Sequence, residues 1–255
     1  MKEALAFAPG LGCTPELFAA QAKALGSARE VVFVDTTQAE TLAAMAAQFL
    51  SAAPPRFALA GLSMGGYLAL EIARMAPTRV TRLALMDTSA RPDDEGATER
   101  RRRLIALAEA GKLAQVHTVL WEKLVHQDRL DDRDLEETVR RMLLEIGPEA
   151  FVRQQRAIIG RMDSRPTLSS IRVPTLVLVG EDDLITPPEV ASELAEGIPF
   201  ARIEIVPECG HLSSLERPDH VSAALARWLQ AEGEETAGRE ESASGRAEIT
   251  KRRDT

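Results

Sequence analysis

The stretch Phe57-Ala58-Leu59-Ala60-Gly61-Leu62-Ser63-Met64-Gly65-Gly66-Tyr67-Leu68-Ala69-Leu70-Glu71-Ile72-Ala73 decides how this chain is read. An apolar run leads into a serine flanked by glycines, and a helical pattern leaves it. Strand, sharp turn and helix in that order, with G-x-S-x-G at the turn, make a nucleophile elbow. The turn strains the serine backbone and leaves room only for small residues two before and two after it. Gly61 and Gly65 meet that demand. The plain alternative for Ser63 is a helix N-cap.

The surroundings of the elbow extend the pattern. Short apolar runs at residues 4–8, 31–35, 57–62, 83–87, 175–180 and 202–206 read as strands buried on both faces of a mostly parallel sheet. Helical patterns at 15–25, 41–52, 64–75, 188–196 and from Pro218 to about residue 230 alternate with them. Pro188 and Pro218 suit a first helical turn, where no N–H is needed. The alternation predicts a doubly wound α/β core over residues 1–91 and 169–231. Residues 92–168 read as helix only, in segments 100–109, 112–124, 134–146 and 148–162. Such an insertion is most simply a helical cap over the sheet's C-terminal edge, where open α/β sheets bind ligands. Residues 232–255 hold almost no apolar side chains and are expected to form a disordered tail.

Composition narrows the function. At 255 residues and 45% apolar content the chain can bury a sizeable core, and its net charge of −8 argues against nucleic acid as a partner. The one basic run, Arg100-Arg101-Arg102-Arg103, reads as a solvated helix end. Two cysteines and four histidines show no metal-ligand spacing. No apolar run approaches the roughly 20 residues of a membrane span. The N-terminus lacks the pattern of a secretory signal. The expectation is a soluble, cytoplasmic protein with no membrane partner.

A serine hydroxyl needs a base, and the base needs a carboxylate to orient it. An elbow fold supplies them in the order serine, acid, histidine, from loops after later strands. His211, in Pro207-Glu208-Cys209-Gly210-His211, lies between the last strand and the last helix and fits the base. His220 falls in a helical first turn. His117 and His126 lie in the cap and read as structural or exposed. The strand at 175–180 runs into Gly180-Glu181-Asp182-Asp183. Asp183 is favoured as the acid because it lies furthest into the loop. Asp182 remains open, as does Asp87 at the end of an earlier strand. The oxyanion of an acyl transfer would need two backbone N–H groups, assigned to Met64 and to Leu11 in Pro9-Gly10-Leu11-Gly12.

These motifs together resemble the α/β-hydrolase fold superfamily, in its small capped esterase, lactonase and carbon–carbon hydrolase branch. The resemblance rests on Pro9-Gly10-Leu11, Gly61-Leu62-Ser63-Met64-Gly65-Gly66, Gly180-Glu181-Asp182-Asp183 with Pro187 four residues on, and Gly210-His211, and it covers roughly residues 3–230. In the family the third motif spaces its aspartate three residues after the glycine and four before the proline, a register that falls on Asp183. Many relatives carry His-Gly where this chain has Pro9-Gly10. A serine at position 63 sets the chain apart from the branches that use a carboxylate nucleophile.

The resemblance implies a serine hydrolase that cleaves an ester, thioester or lactone of a small organic acid, with no metal and no cofactor. Its partner would be a small-molecule acyl substrate. Carbon–carbon hydrolysis, cofactor-free peroxidation and ligand binding without turnover are the rival readings. Phe18, Met64 and Trp121 are expected to line the pocket. Arg153, Gln154, Gln155 and Arg156 read first as a solvated helix face, with polar contact to a substrate carboxylate as the alternative.

Overall fold

The computed structural model describes residues 3–230. The expected tail, residues 232–255, lies outside the described residues. Six strands form one parallel sheet in the order β2-β1-β3-β4-β5-β6. They are β1 (Ala4–Ala8), β2 (Val31–Phe33), β3 (Phe57–Leu62), β4 (Val80–Met86), β5 (Thr175–Gly180) and β6 (Ala201–Val206). The helices are α1 (Ala19–Gly26), α2 (Leu42–Ala52), α3 (Met64–Met75), α4 (Glu95–Glu109), α5 (Leu113–Leu124), α6 (Arg133–Ile159), α7 (Pro188–Gly197), α8 (Ser213–Glu216) and α9 (Pro218–Trp228).

The two-residue period of the strands sorts the core into two layers. Ala6, Ala8, Leu59, Leu85 and Val179 pack against α2, α3 and α7. Their neighbours Leu5, Phe7, Ala60, Met86 and Leu178 pack against α1 and α9 on the other face. Both faces are covered, which is why these strands read as unbroken apolar runs. Strand order reverses between β1 and β3, so the crevice beyond their C-terminal ends is the natural binding site.

Helices α4, α5 and α6 all fall between β4 and β5 and share a cluster of their own, built on Leu104, Val116, Leu143 and Phe151. Trp121, Val125, Leu135, Val139 and Met142 from the same segment pack into the α1–α9 layer, so the insertion is rooted in the core. The expected break at Gly147-Pro148 is a kink inside α6. Gly147 takes φ 80°, and the helix resumes at once.

Other boundaries move for local reasons. The helix expected over 15–25 is a 3-10 turn, Pro15–Phe18, followed by α1, because Phe18 leaves helical geometry at φ −115° and ψ 19°. The strand expected over 31–35 stops at Phe33, and Asp35 turns the chain by accepting hydrogen bonds from the Thr37 N–H and hydroxyl. Helix α4 starts at Glu95, five residues before the apolar spacing begins, because Asp94 caps it through the Ala97 N–H at 2.6 Å.

The elbow itself is tightly built. A Cβ on Gly61 would sit 2.1 Å from the Gly65 carbonyl oxygen, and one on Gly65 would sit 1.9 Å from that of Ala8. Both clashes are with backbone, so no rotamer relieves them. Gly61→Ala is therefore expected to lower stability by about 3 kcal/mol. Urea denaturation followed by circular dichroism measures the loss. An unchanged midpoint would show that the turn yields.

Candidate active site

The loops after β1, β3, β4, β5 and β6 converge at the sheet's C-terminal edge. Ser63 follows β3 directly with φ 56° and ψ −116°, a conformation that a residue with a side chain rarely adopts. Its backbone is held on both sides. The Ser63 N–H donates to the Met86 carbonyl at 2.9 Å, and the Thr88 hydroxyl donates to the Ser63 carbonyl at 2.7 Å. Gly66 leaves room for Thr88, since a Cβ there would lie 2.4 Å from its hydroxyl.

The structure brings Ser63, His211 and Asp183 into one chain of contacts. The Ser63 hydroxyl lies 2.9 Å from His211 Nε2, and His211 Nδ1 lies 2.8 Å from Asp183 Oδ2. Asp183 and His211 are buried. Asp183 also accepts hydrogen bonds from the N–H groups of Ile185 and Thr186 at 2.8 and 3.0 Å, and from the Thr186 hydroxyl at 2.7 Å. The carboxylate is thus held by four donors when His211 is counted.

The two other acids are placed elsewhere. Asp182 is half exposed, 3.4 Å from His126 Nε2. Asp87 is fully buried behind the site, where it accepts hydrogen bonds from the Gly180 N–H at 2.9 Å and from the Ser213 hydroxyl. Burial and the nearby charge of Asp183 push the Asp87 carboxyl well above its usual range, against the pull of His211, Ser213 and Gly180. Asp183 moves the other way. Burial would raise it, but the charge and hydrogen bond of His211, together with the Thr186 donors, bring it below the usual value. The two carboxyls are pushed apart, one toward the charged form and one toward the neutral.

For His211, burial would lower the pKa. The Asp183 charge and hydrogen bond outweigh it, with Asp87 and Glu216 adding to them, and the imidazole ends above its usual 6.5.

The positions assigned to an oxyanion hole lie beside Ser63. Among the described residues, neither the Leu11 nor the Met64 N–H donates a hydrogen bond within the protein. Met64 opens α3, whose N-terminus carries a partial positive charge. A Cβ on Gly10 would sit 3.5 Å from that of Ser63, so glycine lets the β1 loop come close. Gln154, fully buried on α6, fixes that loop by accepting from the Gly12 N–H at 2.9 Å while it donates to the Thr36 hydroxyl.

A cavity of about 770 Å³ opens at this point, lined by Gly10, Leu11, Ser63, Thr186 and His211 from the core and by α4, α5 and α6 from the insertion. Several expected wall residues are not on it. Phe18 stacks on Phe7 in the core at 4.5 Å. Trp121 is buried beneath the insertion, with its ring N–H on the Leu130 carbonyl. The Met64 side chain belongs to the α2–α3 layer. Arg153, Gln154, Gln155 and Arg156 do not line the cavity either. Arg153 donates to the Thr37 carbonyl, Arg156 pairs with Glu40 and Glu109, and Gln155 accepts from Arg101 at 3.0 Å. Conversely, Arg100, Arg101 and Arg103 lie mid-helix on the cavity, and only Arg102 of that run does not line it. The helix-end reading of the run is thereby corrected.

One residue of the site carried no sequence signal. Glu216, buried on the single-turn helix α8, accepts hydrogen bonds from the N–H groups of Gly210 and Leu212 on either side of His211. It accepts a third, at 2.8 Å, from the His126 N–H at the end of the α5 segment. The Leu212 N–H also donates to the Leu124 carbonyl. A Cβ on Gly210 would lie 2.5 Å from the His126 nitrogen, so glycine permits this close approach. His126 is accordingly a buried structural residue.

The chain belongs to the alpha/beta hydrolase family, whose model matches residues 5–225. It is 28% identical over 187 residues to the pimeloyl-[acyl-carrier protein] methyl ester esterase of Nitrosospira multiformis, covering 69% of this chain and 70% of that one. Among solved structures, a thermophilic esterase from Thermogutta terrifontis superposes with a TM-score of 0.82 at 29% identity, over 90% of each chain. The enol-lactonase of Burkholderia xenovorans LB400 shares the fold, with a TM-score of 0.82 at 22% identity over 91% of this chain and 92% of that one.

The raised His211 pKa has a definite sign. The stability linked to its proton is fully present below the unfolded value near 6.5 and is lost as pH rises through the folded value. Titration by NMR is expected to place the His211 midpoint above 6.5. Asp183→Asn should lower that midpoint and Glu216→Gln should lower it less, because each removes negative charge that favours the imidazolium. A rise in either variant would reverse the assignment.

Proposed function

We propose that this protein is a serine hydrolase that cleaves a carboxylic ester, thioester or lactone of a small organic acid through an acyl-enzyme on Ser63. The observation that carries this reading is the continuous relay from Ser63 through His211 to Asp183, at 2.9 and 2.8 Å, opening on the cavity. Esterases at 28 and 29% identity support it from outside.

His211 Nε2 takes the Ser63 proton as the hydroxyl oxygen attacks the carbonyl carbon. Asp183 holds the ring with Nδ1 protonated and stabilises the imidazolium, while its own remaining lone pairs stay bonded to the Thr186 and Ile185 donors. The Leu11 and Met64 N–H groups receive the developing oxyanion, and each such donor is worth about 3–4 kcal/mol in the transition state. His211 then returns the proton to the leaving group. A water molecule, activated by His211 in turn, hydrolyses the acyl-enzyme.

Binding without turnover is the less economical reading. A ligand site has no use for a strained serine within hydrogen-bond distance of a buried imidazole.

A fluorophosphonate probe is expected to label the wild type and to leave Ser63→Ala unlabelled. Asp183→Asn should reduce hydrolysis of a p-nitrophenyl acyl ester by about 10⁴-fold, since the amide would present the wrong partner to His211 Nδ1. The acid limb of kcat/KM in the wild type is expected above pH 6.5, following the raised His211 pKa. A wild type that neither reacts with the probe nor turns over esters would overturn the hydrolase reading.

A further inference from the structure

The cavity that holds Ser63 has the opposite charge to the protein around it. The chain carries a net charge of −8, yet six of the side chains lining the cavity are cationic and only two are acidic. This excess is concentrated on the insertion.

Part of it is internally balanced. Asp93, buried in the wall, is shared by two guanidiniums, with Arg101 Nε and one terminal nitrogen of Arg161 each 2.6 Å from its oxygens. Arg161 also lies over the Tyr67 ring, 4.3 Å from its centre. One carboxylate between two cations leaves a positive remainder. Arg91 is paired too, with Glu193 at 2.8 Å, but for the remaining three cations the balance is missing or weak. Among the described residues, Arg100 on α4 and Lys123 on α5 line the cavity and make neither a hydrogen bond nor an ion pair. Arg103 has only an exposed contact with Glu99 at 3.4 Å.

His117 on α5 does not add to this, because its Nε2 is enclosed by protein and out of reach of an occupant, and its ring stacks on Trp121 at 5.6 Å. The neighbouring lining is aliphatic, with Leu104, Leu107 and Leu120 on the same two helices. An apolar wall that carries unpaired cations fits an extended chain ending in a negative group.

We propose that the α4–α5 wall, through Arg100 and Lys123, is an anion-binding subsite, and that the ester cleaved at Ser63 carries a carboxylate or phosphate distant from its scissile carbonyl. This rests on the hydrolase reading above. The cations draw the anion into the cavity, and the aliphatic wall takes the intervening methylenes. The attraction acts on an exposed site and is screened by salt, over a Debye length of about 10 Å at 0.1 M.

The test is protection of Ser63 from fluorophosphonate labelling, which needs no knowledge of the true substrate. Adipate stands for a carboxylate on the acyl side, butyl phosphate for a phosphate on the alcohol side, and adipamide for an uncharged molecule of adipate's length. At low ionic strength one of the two anions is expected to slow labelling at a concentration where adipamide does not, and added salt should abolish the effect. Which anion protects tells the two sources apart. In the double variant Arg100→Gln, Lys123→Gln the protecting concentration should rise about fivefold, the factor expected when two exposed ion pairs are lost. Arg102→Gln, which removes the same charge from the same helix away from the cavity, should protect like the wild type. Melting temperatures of both variants control for folding. Labelling that neither anion slows more than adipamide, or protection that survives in the double variant, overturns the subsite and leaves the hydrolase standing. A wild type that is not labelled at Ser63 overturns the hydrolase reading, and the subsite with it.

Discussion

The structure depends on one strained residue. Ser63 sits at φ 56°, where a side chain costs on the order of 1–3 kcal/mol. The strain persists because the surroundings allow nothing else. Its N–H is tied to β4, its carbonyl accepts from Thr88 and from the first turn of α3, and the backbones of Gly61, Gly65 and Ala8 close around it. That conformation sets three things at once. It lifts the hydroxyl out of the sheet edge, aims the N-terminus of α3 at the same point, and leaves the Met64 N–H free. Gly10 brings the β1 loop within reach of it, and the later loops meet the hydroxyl where it is held.

The histidine loop is organised by a different device. Glu216 gathers amides from both neighbours of His211 and from His126 at the end of α5. A buried carboxylate needs several donors to offset its desolvation, and backbone N–H groups in a tight loop supply them without adding side-chain bulk. The arrangement joins two parts of the chain that differ in origin. One is a loop of the sheet, and the other is the end of an inserted helix. The insertion therefore cannot lift at that point without stripping partners from Glu216. Its α6 end is fastened as well, since Gln154 bridges the Gly12 backbone N–H and the Thr36 hydroxyl beside the β1 loop. The wall that shapes the cavity is thus tied to the loop that carries His211 and to the β1 loop beside Ser63.

Much of this was legible in the sequence, and the reasons are specific. The central strands β1, β3, β4 and β5 announced themselves because they are largely buried on both faces, and α3 and β5 fall where the pattern predicts. Gly180 and the spacing to Pro187 led to Asp183 because a glycine is obligatory there, a Cβ being 2.0 Å from the Gly210 carbonyl. The short helix at Ser213–Glu216 was invisible because four residues leave no period to detect. Glu216 was invisible for a related reason: an acid that bonds to backbone amides needs no matching residue type elsewhere. The pocket was misread in both directions. Phe18 and Trp121 are large apolar residues, and apolar character alone does not separate core from cavity wall. The arginine run is solvated as read, with Arg100, Arg102 and Arg103 exposed, but it lies mid-helix because Asp94 starts α4 ahead of it.

Asp87 and Asp183 show how the same kind of side chain takes opposite roles a few ångströms from one imidazole. Asp183 faces His211 and four donors in all, so its charged form is favoured. Asp87 is enclosed more completely and has fewer donors, so its neutral form is favoured. Two adjacent charges in that space would repel each other and weaken the hold on His211. By accepting a proton more readily, Asp87 can bridge the Gly180 N–H and the Ser213 hydroxyl without adding a full charge behind the relay. The electrostatics of the site are therefore layered. Negative charge behind the imidazole sits on Asp183, which touches it, and on Glu216 behind its loop, while the cationic excess is displaced outward to the cavity wall. An anion bound there would not share its immediate surroundings with the Asp183 charge that holds the imidazolium.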